Sequence, residues 1–67
     1  MIKGEIGVQA GVVWQYLDKN GECSIDDLKK KLHMGERDFY LALGWLAREN
    51  KVVFYTREDT DYVFLYY

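Results

Sequence analysis

The sequence contains no proline, one cysteine and one histidine. A single cysteine cannot form an intramolecular disulfide and excludes a cysteine-rich zinc site. Because no disulfide can support so short a chain, a reducing compartment is expected, and we predict a cytoplasmic protein. Cys23 and His33 are the candidates for nucleophilic or metal chemistry, but the sequence supplies no second histidine for a triad or a tetrahedral metal site. We therefore expect no catalytic residue, no metal, no cofactor and no enzymatic activity.

The chain also lacks a long hydrophobic run and an excess of basic charge. Its apolar N-terminal stretch is interrupted by Glu5 and Gln9 and is too short to span a membrane. Lys3 gives that stretch a weak likeness to a signal peptide, but cleavage would remove the first predicted helix. The chain has nine lysines and arginines and eleven aspartates and glutamates, for a formal net charge of −2. Since DNA-binding domains usually carry a basic patch, this balance disfavours DNA without excluding it.

Apolar side chains are abundant for the size of the protein. Of its 67 residues, 49% are hydrophobic and 16% are aromatic. A chain this short buries only about 60% of the surface that it exposes when unfolded. Surplus apolar surface on a small domain tends to be covered by a partner. We expect a single domain over residues 1–67 that leans towards a homodimer or another protein complex, with no evident small-molecule substrate.

The spacing of apolar residues predicts three helices. The first ends at Asn20-Gly21, where glycine suits the left-handed backbone that follows a helix. Ser24 is placed to cap the second helix, and Asp27 follows three residues later in the pattern of a capping box. The predicted helices cover residues 5–19, 25–32 and 36–49, with a short strand at 22–25.

A β-hairpin is predicted after the third helix. Two runs rich in β-branched and aromatic residues, 52–56 and 62–67, flank the polar segment 57–61. A hairpin that lies on one core normally has a polar outer face. Here the alternation leaves aromatic side chains on that face, and they require cover from neighbouring loops or from another chain. These outer aromatics are Tyr62, Phe64 and Tyr66.

Several short runs carry a resemblance that covers essentially the whole chain. They are Ala10-Gly11-x-x-Trp14-x-x-Leu17, the run from Ser24 to Leu32, Ala42-Leu43-x-x-Leu46, Leu43-Gly44-Trp45-Leu46-Ala47-Arg48 and Arg48-Glu49-Asn50-Lys51-Val52. The last looks like the L-x-x-E-G-K-V/I exit of many winged helices, with Asn50 in place of glycine. Together they resemble a family of short, uncharacterised bacterial winged helix-turn-helix domain proteins. The resemblance implies an α+β fold of three helices plus a small antiparallel sheet, in the order α-β-α-α-β-β. Winged helices serve both DNA binding and protein contact, so the fold leaves the function open.

The third helix has an unusual outward face. On a helical wheel its core side holds Phe39, Ala42, Leu43 and Leu46, and the opposite side holds Arg37, Leu41, Gly44 and Arg48, with Trp45 on the shoulder. Leu41 and Gly44 offer no hydrogen bond to a base edge. Gly44 costs about 1 kcal/mol relative to alanine in a helix and therefore suggests close approach of a second subunit. Alternatively, Gly44 packs against the first helix near Gly11 while Trp45 folds onto the hairpin.

Three functional hypotheses follow from these patterns. The first is a homodimer or partner-docking module whose contact comprises Arg37, Leu41, Gly44, Trp45, Arg48, Tyr62, Phe64 and Tyr66. The second is a DNA-binding transcriptional regulator that uses Lys29, Lys30, Lys31, Arg37, Arg48 and Arg57. A lysine run at a helix end is more typical of a solvated face that compensates the helix dipole. The third is an accessory subunit whose outward stripe faces a different protein.

Overall fold

The fold comprises three helices and a three-stranded antiparallel sheet. A computed structural model describes the backbone of residues 2–66 and the side chains of residues 4–66. This is the predicted α+β winged-helix architecture. Its elements are α1 (Ile2–Asn20), β1 (Cys23–Ser24), α2 (Ile25–Leu32), α3 (Glu36–Arg48), β2 (Val52–Arg57) and β3 (Thr60–Leu65).

The first helix is longer than the sequence predicts. It already includes Gly4, ahead of the predicted start at residue 5, and it continues to Asn20. Packing of α1 along α3 supplies helix stability that glycine-rich local propensity lacks. The predicted stop is confirmed, because Gly21 has φ 80° and its N–H donates to the carbonyl of Leu17 at 2.8 Å.

Capping determines both ends of the second helix. The hydroxyl of Ser24 accepts a hydrogen bond of 3.1 Å from the backbone N–H of Asp27, as the capping pattern predicts. At the other end His33 adopts a left-handed conformation with φ 54°. Leu28 is fully buried, whereas Ile25 and Leu32 are half-buried at the margin of the core. This short helix is therefore stabilised by a cap at each end and by the burial of Leu28.

The sheet has the strand order β1-β3-β2, so the last strand lies in the middle. The predicted polar loop 57–61 was too long, because Arg57 and Thr60 pair with each other and only Glu58 and Asp59 form the turn. Both turn residues have positive φ, 52° and 63°, as a type I′ turn requires. Since such a turn matches the twist of the strands, pairing continues into the polar residues. The last strand ends at Leu65, one residue short of the predicted Tyr66, and the predicted Tyr67 lies outside the described residues.

The core lies between the helices and the inner face of the sheet. All four residues predicted for the inner side of α3 are buried, as are Ala10, Val13 and Leu17 of α1. Ile6, one turn before Ala10 on α1, is half-buried. The sheet closes the core with Val52, Val63 and Leu65. Burial of these side chains positions α3 with its opposite face towards solvent.

Candidate functional site

The outward face of α3 is open to solvent along its middle. Arg37, Gly44 and Arg48 are exposed, and Leu41 keeps 36% of its surface accessible. Tyr40, which the sequence analysis did not assign to this face, is 46% exposed. It lies only about 40° from Gly44 on the helical wheel, and that angle could have identified it. The accessible centre of the face is therefore two large side chains beside a glycine.

Gly44 has free space where a side chain would stand. A Cβ added there would meet no described atom within 4 Å, and the same holds for Gly11 of α1. The alternative in which Gly44 packs against α1 near Gly11 is therefore wrong. Both glycines point away from the helix contact, because the residues that join α1 to α3 lie on the opposite sides of the two helices. Nothing within the described chain requires glycine at position 44.

Trp45 is less exposed than Tyr40 and Leu41 on the same helix. It is half-buried and packs against the core. From its shoulder position the long indole reaches the margin of the core, whereas the shorter Leu41 stays on the outside. The exposed apolar stripe is consequently centred on Tyr40 and Leu41, with Trp45 along one border.

The outer face of the hairpin carries aromatic side chains that partly cover one another. Tyr62 and Phe64 are half-buried, while Tyr66 is 60% exposed. The ring of Tyr55, a residue that the sequence analysis missed, stacks on Tyr62 at 5.2 Å and meets Phe64 edge-on at 6.1 Å. The register places Tyr55 directly across from Tyr62. These aromatics form one cluster, and Tyr66 extends beyond it.

Acidic groups surround the groove between the wing and the helices. A cleft of about 190 Å³ is lined by Ile25, Asp26, Tyr40, Asp59, Thr60 and Asp61. Its three carboxylates lie beside the outward face of α3 and would repel a phosphate backbone. Of the nearby cations, Lys29 has its Nζ 3.9 Å from Oε1 of Glu36 and 5.8 Å from the centre of the Tyr40 ring. This lysine is already engaged by the protein.

The other basic residues considered for DNA binding lie at the surface. Lys30 and Lys31 are exposed on α2, as are Arg37 and Arg48 on α3. Arg57 is exposed at the end of β2, directly before the acidic turn. These cations are accessible, but the wing that would accompany them on DNA carries mainly negative charge.

The two residues considered for chemistry, Cys23 and His33, lie on different elements, β1 and the end of α2. Cys23 is half-buried in β1, and burial raises the pKa of its thiol, with the charges of Asp27 and Glu22 acting in the same direction. His33 is exposed at the end of α2. Among the described residues, no group of three or more histidine, cysteine or acidic side chains is placed to hold a metal ion. Within the same part of the chain, no helix is long and apolar enough to cross a membrane.

Comparison with known proteins identifies the family. The profile of the winged helix-turn-helix domain family DUF2582 matches residues 1–65. The chain belongs to this family. It is similar to protein BT2368 from Bacteroides thetaiotaomicron, whose solution structure superposes with a TM-score of 0.86 at 37% identity, covering 97% of this chain and 79% of that one. A search of curated protein sequences gave no match.

A second solved structure resembles this winged-helix chain. HOP2 superposes with a TM-score of 0.69 at 25% identity, covering 87% of this chain and 98% of that one. HOP2 is described as having DNA recognition and protein interaction domains.

Proposed function

We propose that this chain is a non-enzymatic, cytoplasmic binding module that docks protein, in the first instance a second copy of itself. The contact is the outward face of α3 together with the outer hairpin aromatics. Its residues are Arg37, Tyr40, Leu41, Gly44, Trp45, Arg48, Tyr62, Phe64 and Tyr66. The observation that carries the proposal is the open centre of α3, where Gly44 stands beside exposed Leu41 with free space above it.

The chemistry of this face favours protein over DNA. Base readout in the major groove uses bidentate polar side chains, whereas Leu41 and Gly44 offer neither donor nor acceptor. Tyrosine, tryptophan and arginine are the side chains enriched in the energetically dominant parts of protein interfaces. A glycine in mid-helix allows a second backbone to approach closely. Such an approach would explain why Gly44 is present despite its low helix propensity.

Charge also fits a second copy. Exposed Arg37 and Arg48 lie on α3, and the acidic cleft with Asp59 and Asp61 lies at the wing. In a two-fold symmetric contact, a residue i of one protomer that touches residue j of the other is matched by j of the first touching i of the second, so arginines on α3 of each copy can pair with carboxylates at the wing of the other. Both signs needed for such pairing are present on one chain.

A matched pair of glycine variants tests the proposal. Gly44→Ala should stabilise the folded chain by about 1 kcal/mol, because alanine is the better helix former and has room. It should nevertheless weaken self-association, since the added methyl group holds a partner helix away. Gly11→Ala supplies the same change on α1 and should stabilise without affecting association. Sedimentation equilibrium over a concentration series measures the mass, and urea titration measures the stability.

The result that overturns self-association is a wild-type mass that remains monomeric at every concentration. A Gly44→Ala protein that associates as well as Gly11→Ala would remove the α3 face from the contact. Leu41→Glu provides an independent check, because a buried charge at the interface should dissociate it. If the wild type is monomeric, the accessory-subunit hypothesis is the version of protein docking that remains.

DNA binding is the second candidate function, and accessible cations favour it. The exposed residues concerned are Lys30, Lys31, Arg37, Arg48 and Arg57, and Lys29, which already pairs with Glu36, lies beside them. The similarity to HOP2 adds weight, since that protein is described in terms of DNA recognition. Duplex binding should then weaken steeply with added salt and fall further in a Lys30→Glu, Lys31→Glu protein. We expect no fluorescence anisotropy change with a labelled duplex at low salt and micromolar protein.

A further inference from the structure

The strand β2 has one unpaired edge. In the order β1-β3-β2, the central strand β3 pairs with both of its neighbours. Along the other side of β2, no strand is present in the described part of the chain. On its other side β3 is paired with β1 at Tyr62 and Val63, whereas β2 is free along its whole outer side and is the longer open edge.

The alternation of hydrogen bonds between β2 and β3 shows which backbone groups of β2 point to its free edge. In an antiparallel pair, alternate residues direct both N–H and C=O to the partner strand, and the others direct them away. The N–H of Tyr66 donates to the carbonyl of Lys51 at 2.9 Å, and the two-residue turn joins Arg57 to Thr60. The same alternation directs the backbone N–H and C=O groups of Val53 and Tyr55 towards β3. The backbone groups of Phe54 and Thr56 therefore point outward; we call them the open edge of β2.

The open edge lacks the devices that normally prevent strand addition. Natural edge strands are blunted by lysine, proline, bulges or short length. The segment 52–56 has no charged residue, the chain has no proline, and the pairing of β2 with β3 runs without a bulge over six residues. Phe54 adds an exposed aromatic side chain, 41% accessible, at the middle of the strand. The edge is suited to another extended strand.

We propose that the open edge of β2 pairs antiparallel with the β2 strand of a second copy, forming one continuous sheet across the dimer. Charges at the strand ends favour this partner and this direction. Lys51 precedes β2, and the acidic turn residues Glu58 and Asp59 follow it. Antiparallel pairing about a two-fold axis brings Lys51 of each copy towards the acidic turn of the other. The proposal rests on the self-association proposed above and names a strand contact within it.

Amide hydrogen exchange followed by NMR tests the strand contact residue by residue. At high protein concentration the amides of Phe54 and Thr56 should be protected, because each gains an intermolecular acceptor. Dilution should remove that protection. The amides of Val53 and Tyr55 are the internal control, since their bonds to β3 persist in the monomer. Fast exchange at Phe54 and Thr56 under conditions where sedimentation finds a dimer overturns the proposal.

Two edge variants provide a second test. Phe54→Pro removes an N–H that points away from β3, so the hairpin keeps its own bonds while strand addition is blocked. Thr56→Lys places a charge on the edge without restraining the backbone. Each should weaken association by about tenfold or more. Gln15→Lys introduces the same charge on exposed α1 and should leave the mass unchanged.

The α3 variants separate this inference from the proposed function. If Leu41→Glu dissociates the dimer and both edge variants associate as the wild type does, the strand contact is refuted and docking through α3 stands. If both edge variants dissociate the dimer and Leu41→Glu does not, the strand contact is supported and α3 is not part of the interface. A wild type that is monomeric throughout refutes pairing of two copies at either surface. Circular dichroism of each variant verifies the fold, and Thr56→Lys decides the result if Phe54→Pro is unfolded.

Discussion

The phenol of Tyr55 donates a hydrogen bond of 2.5 Å to Oε2 of Glu22, which lies 33 residues earlier in the chain. Glu22 directly precedes β1 and Tyr55 lies on β2, so this bond spans the outer face of the sheet across the central strand. The ring that makes it also stacks on Tyr62. The contact ties the wing to the first half of the chain and helps to cover the hairpin aromatics from within the protomer.

The Tyr55–Glu22 bond predicts an alkaline loss of stability. The hydrogen bond to Glu22 is the main cause that raises the pKa of Tyr55 above its usual 10.0, with burial next. A raised pKa means that the folded state favours the neutral phenol. The stabilisation that this phenol provides is complete at pH values below the pKa of Tyr55 in the unfolded chain. It is lost as the pH rises through the pKa of Tyr55 in the folded protein. An NMR titration of the Tyr55 ring should show this late ionisation. Glu22→Gln should lower the pKa, whereas Glu5→Gln should leave it unchanged; equal effects of the two variants would contradict the assignment.

Substitution of the two hairpin turn residues should increase the stability of the protein. Glu58 and Asp59 both occupy the left-handed region, which glycine adopts freely, asparagine and aspartate tolerate, and glutamate adopts only with strain. Glu58→Asn combined with Asp59→Gly gives the preferred type I′ sequence and should raise the free energy of unfolding by about 1–2 kcal/mol. Urea denaturation measures the change. Glu58→Ala keeps the strain and should give no gain, so a comparable gain there would argue against this turn.

The end of α3 predicts a second, smaller stabilisation. Asn50 has φ 57°, its N–H donates to the carbonyl of Ala47, and the N–H of Lys51 donates to that of Leu46. This is a Schellman arrangement with asparagine at the position that favours glycine. Asn50→Gly should stabilise by about 0.5–1 kcal/mol, and Asn50→Ala should destabilise by a similar amount. Asn20→Gly is the matched control: Asn20 is the last residue of α1, has no positive φ and donates through its side chain to the carbonyl of Tyr16, so thermal unfolding should show a loss.

Cys23 should react slowly as a thiol. Because burial and the neighbouring carboxylates raise its pKa, little thiolate is present near neutral pH. Alkylation by iodoacetamide at pH 7.5 should be several-fold slower in the folded protein than in urea. Asp27→Asn should accelerate it modestly, since one of the charges that raise the pKa is removed. A folded rate equal to the unfolded rate would place the thiol in solvent.

Local signals predicted the helices well and the hairpin less well. Ser24, Gly21 and the periodicity of α3 act over three or four residues, so their consequences could be recognised in the sequence. The polar run 57–61 was misassigned as a loop because polar composition does not reveal where strand pairing ends. Pairing of Arg57 with Thr60 depends on the turn conformation, which no single residue there indicates.

The candidate site shows the same division. Its orientation followed from the helical wheel, and the predicted inner side of α3 is confirmed by burial. The partial cover of Trp45 and the aromatic cluster around Tyr55 were not predicted. Both depend on side chains from elements far apart in sequence that meet only after folding. The free space at Gly44 likewise excluded one of two interpretations that periodicity left open.

Composition, periodicity and capping by themselves determined three helices, a terminal hairpin and the side of α3 that turns inward, because each depends on residues within a few positions of one another. Only the tertiary structure decided that β3 is central and β2 is an edge, and that Glu22 meets Tyr55 across the sheet. Strand order and cross-sheet contacts depend on which distant segments pack together, and local sequence patterns do not contain that information.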